Sequence, residues 1–106
     1  MSDTRTIFVA GHRGMVGGAI LRRLRARQAQ GEALSLLTAP RAELDLTNQA
    51  QVAEFMAAHR PDTVILAAAR VGGIHANNTY PADFIYENLM IECNVIHQAF
   101  AAGVRR

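Results

Sequence analysis

Thr6-Ile7-Phe8-Val9-Ala10-Gly11-His12-Arg13-Gly14-Met15-Val16-Gly17-Gly18-Ala19-Ile20 is an apolar, β-prone run that breaks at glycine and restarts with helical spacing. The pattern predicts strand, phosphate-binding turn, helix. Gly11, Gly14 and Gly17 recur every third residue. One glycine can take the tight turn, one can let backbone approach a pyrophosphate, and one can let the helix pack closely on its strand. The free N–H groups of the helix's first turn would then face the anion. Loops also collect glycine for steric reasons alone. The strand before the triplet and the amphipathic helix after it are the context that turns it into a dinucleotide-binding signal rather than a plain strand-to-helix turn.

Around that stretch the composition is globular: 106 residues, 50% of them hydrophobic and 19% charged, enough for one domain with a modest core. The single Cys93 excludes an intrachain disulfide framework and suits a reducing compartment, and its bland reading is a lone buried thiol. The amino terminus enters the first strand at once, without a signal peptide, and no apolar run is long enough to cross a bilayer, so the expected location is the cytoplasm. The net charge is only +2, and its basic side is entirely arginine, with no lysine. Arg22, Arg23, Arg25 and Arg27 would be a nucleic-acid patch on one reading. They alternate with Val16, Ile20, Leu21 and Leu24, which favours a solvated helix face and neither a nucleic-acid nor a membrane partner.

Residues 5–10 are the predicted first strand, apolar at the centre as in a parallel sheet covered on both faces. Residues 15–29 are the first helix, with Val16, Ile20 and Leu24 expected against the sheet. The second strand runs over 34–38 and ends before Pro40, which can donate no ladder hydrogen bond. Just beyond it stands Arg41, where a carboxylate would take a ribose 2′-hydroxyl; a guanidinium can instead fork onto a 2′-phosphate, the alternative being a surface arginine after a turn. In Glu43-Leu44-Asp45-Leu46-Thr47, Asp45 either accepts from an adenine amino group or helps start the next helix. Asn48 and Gln51 resemble a capping box opening a helix over 49–59, with Val52, Phe55 and Met56 inward.

Residues 62–69 are the third strand, ending in Ala67, Ala68 and Ala69, which either let a cofactor lie close or simply pack tightly. A glycine-rich polar loop follows, and its His75 has no visible partner and is assigned no chemistry. Residues 82–102 form a long helix whose Ile85, Leu89, Cys93, Ile96 and Phe100 make one stripe, while Phe84, Ile91 and Val95 widen the apolar surface. The surplus fits either a partner helix in a dimer or a broadly buried core helix. The alternation predicts an α/β fold, the βαβαβα half of a doubly wound parallel sheet. The first strand would be central in a complete sheet, and within this chain it is expected to expose an unpaired edge, weakening the fold or promoting self-association.

The wider first interval of the glycine spacing, G-x-x-G-x-x-G, resembles the short-chain dehydrogenase/reductase type of Rossmann domain. A more discriminating match is the run Ala67-Ala68-Ala69-Arg70-Val71-Gly72-Gly73-Ile74 continuing through Ala76-Asn77-Asn78-Thr79-Tyr80-Pro81-Ala82-Asp83-Phe84-Ile85-Tyr86-Glu87-Asn88. With Ala10-Gly11-His12-Arg13-Gly14-Met15-Val16-Gly17, it closely resembles the GDP-L-fucose synthase family. That resemblance implies an NADPH-dependent enzyme that epimerises GDP-4-keto-6-deoxy-D-mannose at two carbons and reduces its 4-keto group. It implies a homodimer and a GDP-sugar substrate. It also assigns Gly11, His12, Arg13, Gly14, Met15, Val16 and Gly17 to the pyrophosphate, with Arg13 and Arg41 near the 2′-phosphate, and Ala42, Glu43, Leu44, Asp45 and Leu46 to the adenine end.

In that family the catalytic serine comes on the strand after residue 106 and the Tyr-x-x-x-Lys pair later still, and a chain without lysine cannot contain that pair; Tyr80 and Tyr86 have no lysine four residues on. The chain therefore reads as the amino-terminal, NADP-binding part of one Rossmann domain, with no second domain and no activity alone. A stand-alone NADP-binding regulatory module and another sugar-nucleotide epimerase or dehydratase are the competing expectations. The family's usual lysine after the alanines is Arg70 here.

Overall fold

A computed structural model describes residues 4–68 and 81–106. Ala69, Arg70, His75 and Asn77 lie outside the described residues, as does the side chain of Phe84. In chain order the elements are β1 (Arg5–Ala10), α1 (Met15–Ala29), β2 (Leu34–Leu37), α2 (Gln49–His59), β3 (Thr63–Leu66) and α3 (Pro81–Ala101). The strands form one parallel sheet in the order β2-β1-β3, with Ile7 opposite both Leu36 and Thr63.

Period-2 alternation along β1 builds the two faces. Ile7 and Val9 pack with Leu21 and Leu24 of α1 and with Leu34. Phe8 and Ala10 point the other way, into a cluster of Leu44, Val52 and Met56 with Ile91, Val95 and Ala99 of α3. One helix thus covers one face and two cover the other, the arrangement of the amino-terminal half of a Rossmann-type sheet. Among the described residues no helix is long and apolar enough to cross a membrane.

Three expectations change. β1 does not expose an edge: β2 and β3 flank it on both sides, and its last four residues are all buried. The second crossover carries the chain back past β1 to its free side, so the open edges fall on the outer strands. On the outer edge of β3, the N–H of Val64 donates to Arg106 O at 2.6 Å and the N–H of Arg105 donates to Asp62 O at 3.3 Å.

The second change is on α1, where Val16 is 63% exposed and the buried residues are Gly17, Leu21 and Leu24, with Ile20 partly buried against the same cluster as expected. Close approach at Gly17 fixes the helix's rotation, and the stripe then steps by four and three residues.

The third is on α3, whose inward face is Ile91, Val95 and Ala99. Ile85, Leu89, Ile96 and Phe100 are more than half exposed, and Cys93 lies exposed among them rather than buried.

The capping of α2 is half as expected. Asn48 Oδ1 accepts the N–H of Gln51 at 3.0 Å, but the Gln51 side chain accepts from Asp45 N rather than from Asn48 N. At the other end Arg60 takes a left-handed conformation (φ 41°) and its N–H donates to Met56 O.

Candidate functional site

The strand order reverses at β1, so the helices that follow β1 and β3 in the chain lie on opposite faces of the sheet, and in open α/β sheets ligands enter at such a switch point. Gly11 leaves β1 with φ +90°, a conformation L side chains rarely adopt. A Cβ there would lie 2.6 Å from the Ala68 nitrogen, so only glycine lets the two strand ends close up. The turn is closed by Gly14 N–H to Gly11 O at 3.1 Å, and α1 begins with Gly14 as its N-cap.

That N-cap supplies no side-chain hydrogen bond, and the first turn carries no acidic residue. The positive end of α1 is therefore left uncompensated, the electrostatic setting in which a helix start takes an anion. A Cβ on Gly14 would meet only Gly11 O, at 3.5 Å. Space thus remains on the side a phosphate would occupy.

A cleft of about 230 Å³ opens at this edge. It gathers Gly11, His12, Arg13 and Gly14 from the turn, Arg41 from beyond β2, Leu44, Asp45 and Leu46 from the following segment, and Ala67 and Ala68 from beyond β3. A second cleft of about 340 Å³ adjoins it and shares Arg41, Asp45 and Thr47. Its other walls are Asp83, Tyr86, Glu87 and Met90 of α3.

Asp45 joins the two clefts. Its Oδ1 accepts from the Thr47 hydroxyl at 2.6 Å and from the Thr47 N–H at 3.0 Å. The Thr47 hydroxyl, then its backbone N–H, hold the Asp45 carboxyl below its ordinary value; burial opposes them in part, and the Arg41 charge adds a lesser lowering. A carboxylate and a guanidinium thus border the same opening.

Five residues expected at the site stand apart from the cleft. Met15 is 91% exposed and Val16 63% exposed, and neither lines the cleft. Gly17 is buried beneath the turn, where a Cβ would fall 1.9 Å from Gly11 O. Ala42 and Glu43 are exposed outside the walls, and Ala69 lies outside the described residues. The structure adds Ala39, Pro40, Thr47 and Ile91 to the lining. Thr47 had a readable signal in its Asp-x-Thr spacing, which favours the local turn it makes. Ile91 had none, because only the tertiary fold brings α3 under the opening.

A glycine turn, an open helix start and a switch-point cleft bordered by arginines define a Rossmann-type nucleotide site. The chain belongs to the NAD dependent epimerase/dehydratase family, whose model matches residues 7–106. It is 59% identical over its whole length to GDP-L-fucose synthase 1 of Arabidopsis thaliana, of which it covers 32%. It is 54% identical to GDP-L-fucose synthase of Escherichia coli strain K12, again over the whole chain and 32% of that protein. Among solved structures, a GDP-mannoheptose C4 reductase from Campylobacter jejuni with NADP bound superposes with a TM-score of 0.85 at 42% identity, covering 98% of this chain and 32% of that one. The chain thus spans about a third of the length of the curated relatives it matches.

Proposed function

We propose that this chain is the NADPH-binding amino-terminal portion of a GDP-L-fucose synthase, acting in the cytoplasm on GDP-4-keto-6-deoxy-D-mannose as part of a homodimeric enzyme. The observation that carries the reading is that Arg41 lines the same cleft as the glycine turn. A pyrophosphate needs the turn and a 2′-phosphate needs a guanidinium beyond the neighbouring strand, and one opening holds both.

Residues 11–14 and the start of α1 present backbone N–H groups to the pyrophosphate, and Gly17 beneath them sets how closely α1 approaches β1. Arg13 and Arg41 neutralise the 2′-phosphate, Asp45 and Leu46 border the adenine end, and Ala67 and Ala68 keep the β3 side free of bulk. When bound, NADPH supplies the hydride that reduces the sugar's 4-keto carbon. This chain carries no lysine and so no Tyr-x-x-x-Lys pair. Its part is to bind and orient, and alone it is inactive.

Fluorescence titration with NADPH and NADH in parallel tests this. NADPH should bind at least about tenfold more tightly, the worth of one charge-assisted hydrogen bond. Equal affinities, or tighter NADH, overturn the reading of Arg41.

A further inference from the structure

The segment joining the two clefts is held from outside by two helices. From α2, the Gln51 side-chain oxygen accepts the N–H of Asp45 at 2.8 Å. From α3, the Asn94 side-chain amide donates to the carbonyl of Leu46 at 3.0 Å, across 48 residues of sequence. The two contacts bracket one dipeptide, fixing the N–H at its start and the C=O at its end. Its orientation is therefore set by the helices as well as by the local turn between Asp45 and Thr47.

Asn94 is the only buried polar or charged residue among those described, with 6% exposure. Its neighbours on the inward face of α3 are Ile91 and Val95. An apolar side chain would satisfy that core without the desolvation that a buried amide must recover through a hydrogen bond. The carbonyl that Asn94 meets belongs to a cleft-lining residue, directly after the carboxylate that borders both openings.

We infer that Asn94 is a positioning residue for the adenosine 2′-phosphate half of the nucleotide: its amide holds the Leu46 carbonyl and so aims the wall formed by residues 45–47. The inference rests on the NADPH-binding reading above. It assigns Asn94 no contact with the nucleotide. Loss of the amide should therefore be felt at the purine end and leave the glycine turn unchanged, since that turn is held by β1, α1 and the end of β3.

The test measures affinities of the 106-residue chain for adenosine 2′,5′-bisphosphate, which fills the purine end, and for inorganic pyrophosphate, which fills only the glycine turn. Asn94→Asp keeps the shape but replaces the donor by an acceptor facing a carbonyl. At neutral pH it should weaken adenosine 2′,5′-bisphosphate about tenfold, the worth of one buried hydrogen bond, and leave pyrophosphate unchanged. Lowering the pH should restore the affinity relative to the unsubstituted chain, because a protonated carboxyl can donate to Leu46 again.

If the substituted chain does not fold, the unsubstituted one still decides the question by NMR. The Asn94 side-chain amide resonances should shift with adenosine 2′,5′-bisphosphate and stay fixed with pyrophosphate. Equal weakening of both ligands, no weakening of either, or an amide signal indifferent to the bisphosphate overturns the inference. Failure of the unsubstituted chain to bind adenosine 2′,5′-bisphosphate overturns the NADPH reading instead, so the two failures are distinguishable.

Discussion

A Cβ on Gly17 would stand 1.9 Å from the carbonyl oxygen of Gly11 and 2.6 Å from its carbonyl carbon. Both obstacles are backbone at the end of the central strand, so no side chain can swing away. Gly17→Ala must push α1 off β1, and it should cost about 3 kcal/mol, the upper end of ordinary overpacking. Gly14→Ala is the control: its Cβ meets Gly11 O at an ordinary 3.5 Å, and φ −77° suits alanine. It should cost about 1 kcal/mol or less, as a cap substitution, while reducing NADPH affinity. Urea unfolding and NADPH titration of both variants check the pair; a Gly17→Ala chain as stable as Gly14→Ala would refute the packing argument.

Arg41 is exposed and reaches both clefts, so truncating it removes charge without disturbing the core. Arg41→Ala should lower NADPH affinity by about 10- to 100-fold, the worth of hydrogen bonds to a charged group, with NADH affinity and the thermal midpoint unchanged. A parallel fall in NADH binding would mean that Arg41 serves the pyrophosphate, not the extra phosphate.

Much of this fold is legible in the sequence, for reasons that differ by element. β1 and the turn after it announce themselves because an apolar run, a glycine triplet and a helical restart each follow from local chemistry. The face of α1 was misread because glycine is invisible to a count of apolar residues, yet Gly17 makes the nearest approach and rotates Val16 outward. On α3, Ala99 hides in the same way, and an apolar stripe on each side left the inward face open until β1 and α2 were placed. The pairing of β3 on the free side of β1 is a long-range fact with no local mark. The same holds for Ile91 and Asn94, whose roles exist only once residues far apart in sequence meet.

Asp45 makes stability depend on acid. Its folded pKa is depressed, chiefly by the Thr47 hydroxyl and N–H. A depressed carboxylate contributes stability that is complete above the unfolded value, near about 3.9, and is lost as pH falls through the lower folded value. Asp45→Asn removes that titration. Comparing urea midpoints from neutral pH down to acid, the difference between the two chains should be constant above about pH 5 and shrink below about pH 4. A difference independent of pH throughout would assign the stabilisation to packing alone.

Val95 and Ile96 are adjacent in sequence and opposite in setting: Val95 is 2% exposed in the core and Ile96 is 64% exposed beside Leu89 and Phe100. A carboxylate at the first position would be buried without a partner, so Val95→Asp should abolish cooperative folding. At the second it would be solvated, so Ile96→Asp should leave the thermal midpoint of a dilute sample within a few degrees. Large apolar side chains exposed along one helix mark an association surface, and Ile96→Asp should therefore also lower the apparent mass at high concentration if that stripe supports a homodimer. Sedimentation of both chains over a range of concentrations measures this. A mass unchanged by Ile96→Asp while the unsubstituted chain associates would move the contact away from α3.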